Sequence, residues 1–303
     1  MHDIIIVGGG PAGMTAALYA LRNGKSALVV ERNGFGGQIT HSPKVENYPG
    51  TLQMSGNEFA ERMLEQILAQ GADIELETVE AVEDHGDFKT VLTEEGSRFE
   101  GRAVVLATGV KHRMLGLPGE EALVGEGIFF CAVCDGDFYA GKSVCVAGGG
   151  NSALQEALLL ADKCRDVTIL QDLPQCTGEQ KLQDLLFSRP NVRVRTGVRI
   201  TGLLQENGSL TGVRIQEAQG KETAVPCDGL FVAIGLIPEN EPFRALADLN
   251  DYGYFDSDER CLTRTPGVYA AGDCRSKGVR QLATAIADGA CAALAACRFL
   301  NGQ

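Results

Sequence analysis

The residues whose types and spacing indicate chemistry are Cys131 and Cys134, in the stretch Cys131-Ala-Val-Cys134-Asp135-Gly136. Two cysteines three positions apart can close a small disulfide ring, and such a pair is the common form of a dithiol that cycles between oxidised and reduced states. An acidic residue follows the second cysteine directly. We therefore take this stretch as the candidate redox centre, to which the rest of the chain would bring electrons before it meets a partner.

The remaining cysteines show no such spacing. They lie singly among apolar neighbours, as small core residues of a reduced cytosolic protein do. A structural zinc site would need a second close pair of Cys or His ligands, and the four histidines are isolated. We therefore expect no metal, and we expect structural roles for Cys145, Cys164, Cys176, Cys227, Cys261, Cys274, Cys291 and Cys297.

A glycine motif at the N-terminus predicts a dinucleotide site. The apolar run Asp3–Val7 is typical of a buried parallel strand, and Gly8-Gly9-Gly10-Pro11-Ala12-Gly13 and an Ala- and Leu-rich helix follow it. The next apolar strand, 26–30, ends in Glu31, which lies 18 residues after Gly13. The glycines allow the backbone to approach a pyrophosphate, and an acid at that distance can bond ribose hydroxyls.

The same pattern occurs a second time. A strand over 142–147 leads into Gly148-Gly149-Gly150-Asn151-Ser152-Ala153, then a helix from about Asn151 to Lys163 and a strand over 166–170. Later, 229–235 resembles 104–109. This motif-level duplication predicts two dinucleotide domains built on one plan, which would bind two different dinucleotides.

The order of the elements predicts an α/β fold with two Rossmann-like domains, each with three layers in the order ββα. Helix 56–70 and a β-meander over 73–100 belong to the first domain. The residues after 242 are too few for a domain of their own, so we expect them to complete the first one. The predicted division is 1–114 plus 242–303 for the first domain and 115–241 for an inserted second domain. The chain crosses near 111–118 and 236–244, and these crossings would act as a hinge.

Charge and composition exclude some partners. The chain has 303 residues, 44% of them hydrophobic, which suffices for two domains. Its net charge of -13 and pI near 4.8 argue against nucleic acid or an anionic membrane as the main partner. No apolar run reaches about 18 residues, and the first residues lack a signal-peptide pattern. We expect a cytoplasmic protein.

The motifs, taken in order, resemble the low-molecular-weight bacterial thioredoxin reductases, and they are also similar to the disulfide reductase core of the alkyl hydroperoxide reductase flavoprotein. The resemblance covers essentially the whole chain. The motif that is specific to this group is the Cys-x-x-Cys-Asp placed just before the second glycine motif. The others are Gly8–Gly13, Gly36-Gly37-Gln38, Asn47-Tyr48-Pro49-Gly50, Ala107-Thr108-Gly109, Gly148–Ala153, Gly272-Asp273 and Arg280-Gln281.

The resemblance implies FAD in the first domain, a nicotinamide in the inserted domain, and a homodimer. Cys131 and Cys134 would be the dithiol that exchanges with flavin, and Asp135 the acid that moves the proton. The residues that it assigns to FAD are Gly8, Gly10, Pro11, Ala12, Gly13, Glu31, Arg32, Gly36, Gly37, Gln38, Asn47, Val79, Ala107, Thr108, Gly109, Asp273, Arg280, Gln281 and Ala283. Those for the nicotinamide are Gly148, Gly150, Asn151, Ser152, Ala153 and Asp172.

One stretch departs from the family pattern. NADPH-using members carry a basic cluster after the second strand of the inserted domain, but 170–177 here contains no Arg, Lys or His. Asp172 would repel a 2′-phosphate and could bond a free 2′-hydroxyl. NADPH is thus not supported, and NADH or reduced ferredoxin is the expected donor. The alternative is that Lys163, Arg165 or Lys181 reaches the phosphate.

The implied function is an FAD-dependent thioredoxin-disulfide reductase that passes electrons through the dithiol to a thioredoxin-like protein. Asp137, beside the dithiol, weakens the expectation of an ordinary thioredoxin and could match a partner with a basic rim. The alternatives are a reductase of a peroxiredoxin system, a ferredoxin-dependent flavin disulfide reductase, and a flavin electron carrier with structural cysteines.

Overall fold

A computed structural model describes residues 1–42 and 44–302 and divides the chain into two compact units. The outer unit consists of Met1–Lys111 together with the chain from Ile237 onward. The inserted unit is His112–Leu236. The predicted boundaries lay at 114/115 and 241/242, three and five residues beyond those of the units.

The outer unit contains a mixed sheet with the strand order β3-β2-β1-β6-β5-β4, and β17 (Val268–Ala270) pairs with β6. The parallel pairs β1–β2, β1–β6 and β2–β3 form its centre, and β4–β5–β6 form an antiparallel meander at one side. Its elements before the inserted unit are β1 (His2–Val7), α1 (Pro11–Arg22), β2 (Ala27–Glu31), α2 (Gly56–Ala69), β3 (Asp73–Leu76), β4 (Val79–Asp84), β5 (Lys89–Thr93), β6 (Arg98–Leu106) and β7 (Lys111–His112).

Two of these elements, β3 and β6, differ from the prediction. β3 is not part of the meander, since it pairs in parallel with β2 at the sheet edge. The predicted strand over 103–107 is the second half of β6, whose first half pairs with β5 and whose second half pairs with β1 and β17. β6 therefore joins the meander to the parallel centre of the sheet.

Side chains of β1 alternate between two hydrophobic clusters, as the period of a strand requires. Ile4 and Ile6 face α1 and the C-terminal helix, and Ile5 and Val7 face β2, β5 and the segment around Phe243. All four side chains are buried. A strand that is buried on both faces explains why its sequence is a continuous apolar run.

The inserted unit has a parallel sheet of order β11-β10-β9-β15-β8, covered on one face by the antiparallel sheet β12-β13-β14. Its other face packs on α4. The elements are β8 (Ile128–Phe129), α3 (Ala132–Asp135), β9 (Ser143–Ala147), α4 (Asn151–Ala161), β10 (Asp166–Gln171), α5 (Gln180–Phe187), β11 (Val192–Thr196), β12 (Val198–Glu206), β13 (Ser209–Glu217), β14 (Glu222–Pro226) and β15 (Gly229–Val232).

The chain passes between the units along β7 and β16 (Leu236–Ile237), which pair with each other. It then adds β17 (Val268–Ala270) and α6 (Leu282–Leu300) to the outer unit. The chain after the inserted unit thus adds one strand to the sheet that the first residues begin, and one helix that packs on this sheet. The predicted α/β class with Rossmann-like domains is confirmed by this topology and by the structural relatives described below.

The two glycine motifs adopt the same backbone geometry. Gly8 has φ +108° and Gly148 has φ +118°, a region that favours glycine. A Cβ at Gly8 would lie 2.3 Å from the carbonyl oxygen of Ala107, and one at Gly148 would lie 2.5 Å from that of Ala233. The duplication seen in the sequence therefore extends to matching turns.

Within the described part of the chain, α6 is the helix with the length and composition to cross a membrane, with a mean hydropathy of 1.4. It packs instead along α1 and the central strands. It also carries Asp288, which forms a buried ion pair with Arg275 (2.8 Å). These are the properties of a core helix.

Candidate functional site

The candidate redox centre is the pair Cys131 and Cys134 on the short helix α3. This helix lies at one end of the parallel sheet. Cys131 is the N-cap residue, and its Sγ accepts a hydrogen bond from the N–H of Cys134 (3.2 Å). The two cysteines form a disulfide with their Cα atoms 5.3 Å apart. Both are half-buried, and Val133 between them is exposed. The disulfide is therefore near the surface of its own unit.

Two carboxylates lie beside the disulfide. The side chain of Asp135 is buried, and its Oδ1 has no hydrogen-bond partner among the described residues. Burial raises the pKa of Asp135 to about 7, and the negative charge of Glu156 adds to the rise. Glu156, on α4, accepts a hydrogen bond from the N–H of Ala132, and burial raises its pKa also. At neutral pH, Asp135 is thus poised to hold or release a proton next to the dithiol.

We expect Asp135→Asn to stabilise the protein at high pH. An unfolded chain releases this proton near pH 3.8, whereas the folded chain holds it to about pH 7. The free energy of unfolding therefore falls as pH rises from 3.8 to about 7, and it stays lower above pH 7. The neutral amide removes this loss, so the free energy of unfolding should rise by up to about 4 kcal/mol at alkaline pH and by little near pH 4. Thermal unfolding across that range measures it, and a variant less stable than the parent at alkaline pH contradicts the shift.

Glu31 closes the glycine turn of the outer unit. Its Oε2 accepts a hydrogen bond from the N–H of Gly9 (2.6 Å), and its Oε1 accepts one from the N–H of Asn33 (3.0 Å). A Cβ added at Gly10 would meet its nearest atom only at 4.0 Å, so that position opens into free space. The space at the N-terminus of α1 suits the phosphates of a dinucleotide.

The outer unit also offers a buried carboxyl oxygen to a ligand. Asp273 follows β17, and its Oδ1 has no hydrogen-bond partner among the described residues, with the Lys277 ammonium 3.5 Å away as an ion pair. Burial raises the pKa of this carboxyl. A ligand hydroxyl would satisfy the oxygen, so the residues present fit FAD. Asn47 and Gln281 are also brought together, and the amide of Asn47 donates to the Gln281 side chain (3.3 Å).

Several of the other predicted FAD residues have protein partners. Arg280 donates to the carbonyls of Asp273, Arg275 and Lys277 and stacks over Tyr254 (4.1 Å), so it braces the loop that holds Asp273. Arg32 pairs with Glu239 (2.6 Å). Val79 opens β4, and Thr108 donates to Asn240 (2.8 Å). The remaining positions lie in four places: the turn and first residues of α1 (Gly8, Pro11, Ala12, Gly13), the segment Gly36-Gly37-Gln38, the residues just after β6 (Ala107, Gly109), and the first turn of α6 (Ala283).

At the second glycine motif the structure places Gln171, rather than Asp172, in the position that Glu31 has in the first. The Gln171 side chain is buried against Gly149, as Glu31 is against Gly9, whereas Asp172 is exposed. Gln171 lies 18 residues after Ala153, the spacing that separates Glu31 from Gly13. That spacing was the signal in the sequence that could have found it.

The segment after Gln171 folds over the glycine turn. Thr177 and Gly178 both donate their N–H to the carbonyl of Gly149 (2.8 and 3.0 Å). Asn151 and Glu179 exchange hydrogen bonds, with the Glu179 N–H donating to Asn151 at 2.7 Å. Ser152 and Ala153 continue α4, and a Cβ at Gly150 would meet Thr177 only at 3.8 Å.

The basic residues considered for a 2′-phosphate lie elsewhere. Lys163 pairs with Asp137 (2.6 Å), and Arg165 contacts Asp166 and Ser143 at the amino ends of β10 and β9. The glycine turn lies at the carboxyl ends of these strands. Lys181, exposed in the first turn of α5, is the remaining candidate.

The cysteines outside the disulfide are all free. Seven of them are buried, as expected, but Cys291 is exposed on α6. The expectation that all eight are core residues is therefore wrong at this position. Among the described residues, no three His, Cys, Asp or Glu side chains form a group that could hold a metal ion.

The family model described as pyridine nucleotide-disulphide oxidoreductase matches residues 2–289 of the chain. A thioredoxin reductase of Listeria monocytogenes serovar 1/2a is 38% identical over 302 residues, covering 99% of this chain and 94% of the relative. The chain belongs to the low-molecular-weight thioredoxin reductase family. It is thus a disulfide oxidoreductase, and the family implies binding of FAD and a pyridine nucleotide.

Other relatives support this membership. A protein of Clostridium pasteurianum described as a 34.2 kDa protein in the rubredoxin operon is 38% identical over 303 residues, covering 99% of this chain and 98% of the relative. The crystal structure of thioredoxin reductase from Streptococcus pyogenes MGAS5005 has a TM-score of 0.94 and 35% identity, covering 100% of this chain and 99% of that one. The resemblance stated from the motifs and the enzyme class are thereby confirmed.

Proposed function

We propose that the protein is an FAD-dependent thioredoxin-disulfide reductase. The outer unit binds FAD, the inserted unit binds the nicotinamide, and the disulfide Cys131–Cys134 passes electrons to a thioredoxin-like protein. The observation that carries the proposal is the disulfide on the cap of α3 beside a buried carboxyl with a pKa of about 7. A structural disulfide needs no such acid, whereas a cycling one must gain and lose protons.

Each step assigns a role to residues of the chain. Bound FAD supplies the two-electron chemistry that links the donor to the disulfide. Reduction of Cys131–Cys134 breaks the S–S bond and takes up two electrons, and Asp135 delivers a proton to one sulfur. The other sulfur remains a thiolate. It attacks the partner's disulfide to give a mixed disulfide, and the second cysteine displaces the reduced partner as Asp135 takes back a proton.

The cofactor residues hold and orient the dinucleotides. The N-termini of α1 and α4 face the phosphates, since their free N–H groups and dipoles favour negative charge. Glu31 would hydrogen-bond a ribose of FAD while it holds the glycine turn, and Asp273 would accept a ligand hydroxyl with the buried oxygen that lacks a hydrogen-bond partner among the described residues. Gln171 has the matching place for the nicotinamide dinucleotide.

The proposed donor is NADH. A 2′-phosphate would find the neutral Gln171 and the exposed acid Asp172 beside the ribose. Of the three candidate cations, Lys163 and Arg165 are engaged elsewhere, which leaves Lys181 on α5. A neutral 2′-hydroxyl suits this surrounding, since it can donate to either side chain. Reduced ferredoxin is the second candidate donor, because the basic cluster typical of NADPH use is missing from 170–177.

We expect NADH to bleach the bound flavin about tenfold faster than NADPH at equal subsaturating concentration. A missing charge-assisted contact to the phosphate is worth this much or more. Anaerobic stopped-flow absorbance with NADH, NADPH and reduced ferredoxin in parallel measures it. Asp172→Arg should narrow the ratio of the NADH to the NADPH bleaching rate, and Glu222→Arg, an equal charge change at the exposed start of β14, should not. Faster bleaching by NADPH would contradict the preference, and bleaching by ferredoxin alone would remove the nicotinamide from the proposal.

The acceptor is proposed to be a thioredoxin-like protein, and the enzyme a cytoplasmic homodimer. Asp137 beside the dithiol is held by Lys163, so this part of the rim is less negative than the sequence indicates. The peroxiredoxin-system alternative is not favoured, because thioredoxin reductases of Listeria monocytogenes and Bacillus subtilis match along 99% and 97% of the chain. A flavin electron carrier would not need Asp135 beside the disulfide.

A further inference from the structure

Glu156 is a half-buried acid that the proposed mechanism does not use. It is the one acidic residue in the sequence of α4, where it stands among apolar residues of the core. Its Oε2 accepts a hydrogen bond from the N–H of Ala132, the first residue of α3. That N–H has no partner inside α3, because the first N–H groups of a helix never do. Glu156 therefore ties the amino end of the redox helix to the helix of the second glycine motif.

Asp135 and Glu156 lie in a surrounding of negative charge. Among the described residues of the inserted unit, no ion pair includes Asp135 or Glu156. Lys163, the cation beside this segment, pairs with Asp137. Burial is the larger cause of the raised pKa of Asp135, and the charge of Glu156 adds to it. Burial raises the pKa of Glu156 also, and the hydrogen bond from the Ala132 N–H opposes that rise.

The other titratable groups that face the pair do not take over this role. Burial, with Asp135 next, raises the pKa of Tyr139 to about 12, so its hydroxyl stays neutral. Cys227, Asp228 and Glu126 act on Tyr139 in the same direction, and they are not causes of the shift at Asp135. Glu156 is the charged group that acts on Asp135.

We propose that Glu156 is a positioning residue for the disulfide exchange: by accepting the Ala132 N–H it fixes the amino end of the Cys131–Cys134 helix, and its carboxyl group acts on Asp135, the acid that serves the dithiol. The inference rests on the proposed function, in which Asp135 is the acid. When the disulfide accepts two electrons, the Asp135 proton passes to one sulfur and leaves a carboxylate. When the dithiol is oxidised, that carboxylate takes the proton back.

The test follows the dithiol alone. The flavin-containing protein is reduced with dithiothreitol, desalted anaerobically and mixed with dipyridyl disulfide. One thiolate attacks the reagent and releases a first pyridinethione. The second cysteine displaces another and restores the protein disulfide, so that two electrons pass to the reagent. In the parent, the rate constant should rise through a step near pH 7, where Asp135 becomes a proton acceptor.

Glu156→Gln separates charge from geometry, because the amide oxygen can still accept the Ala132 N–H. We expect its step to move down by up to about one pH unit, because burial remains the larger cause of the raised pKa of Asp135. Glu156→Ala, which also removes the hydrogen bond, should show the same downward shift with a lower plateau rate. Asp162→Asn, at the exposed end of the same helix where the parent pairs with Arg189, should match the parent. Equal flavin content and thermal unfolding establish that each variant is folded.

The outcomes separate this inference from the proposed function. If Glu156 has only a structural role, the Glu156→Gln variant should show its step at the same pH as the parent. That result overturns the inference. Asp135→Asn should abolish the step. Suppose that Asp135→Asn abolishes the step while Glu156→Gln leaves the step at the parent's pH. The role of Asp135 is then supported, and the role of Glu156 is rejected. If Asp135→Asn retains the step, the acid assigned in the proposed function is the part that fails.

Discussion

Replacing Cys134 by Ser should reduce NADH-dependent disulfide reduction at least about 10³-fold, because the variant can neither form the disulfide nor complete the exchange. Reduction of the bound flavin by the donor should continue at a rate similar to that of the parent, since the glycine motifs are untouched. The result would place the cysteines after the flavin in the electron path. It is measured by steady-state reduction of a bacterial thioredoxin and by anaerobic flavin bleaching on the same preparation.

The matched control is Cys291→Ser, which removes the exposed free thiol on α6 and should leave both activities unchanged. Retained thioredoxin reduction in the Cys134 variant would show that the disulfide is structural. Electron transfer to a non-thiol acceptor that persists in the variant is expected and does not decide the matter. Loss of flavin bleaching together with disulfide reduction would instead indicate a folding defect, which Cys131→Ser then tests independently.

The second large effect is expected at the first glycine motif, where Gly10 and Gly13 have different roles. A Cβ at Gly13 would lie 1.8 Å from the carbonyl oxygen of Gly8, a backbone atom that cannot move aside without breaking the turn. We expect Gly13→Ala to lower the free energy of unfolding by about 3 kcal/mol or more. The melting temperature of protein stripped of FAD measures this effect.

Gly10→Ala is the matched variant that leaves the fold intact. Gly10 has φ -77°, and an added Cβ would meet its nearest atom at 4.0 Å. The stripped protein should therefore unfold within about 1 kcal/mol of the parent, but the methyl group would occupy space that a pyrophosphate needs. We expect FAD affinity to fall by about 100-fold. Unchanged affinity in Gly10→Ala would remove this turn from the proposed cofactor site.

Local sequence patterns predicted much of the fold. Strand β1 and helices α1, α2 and α4 begin and end within a few residues of their predicted limits, because glycine turns and hydrophobic periodicity act over a few positions. Helix α5 and the dual role of β6 were missed. The pairing of a strand depends on neighbours distant in the chain, such as β17 beside β6.

The candidate site divides in the same way. The sequence alone determined the redox pair, both glycine turns and Glu31, since each belongs to a motif in which a few adjacent residues carry the chemistry. The tertiary structure decided which side chains meet these motifs from a distance. It placed Glu156 on the N–H of Ala132, Gln171 against Gly149, and Glu239 on Arg32. Such contacts depend on which face a helix turns inward and where a returning strand ends, and packing of the whole unit sets both.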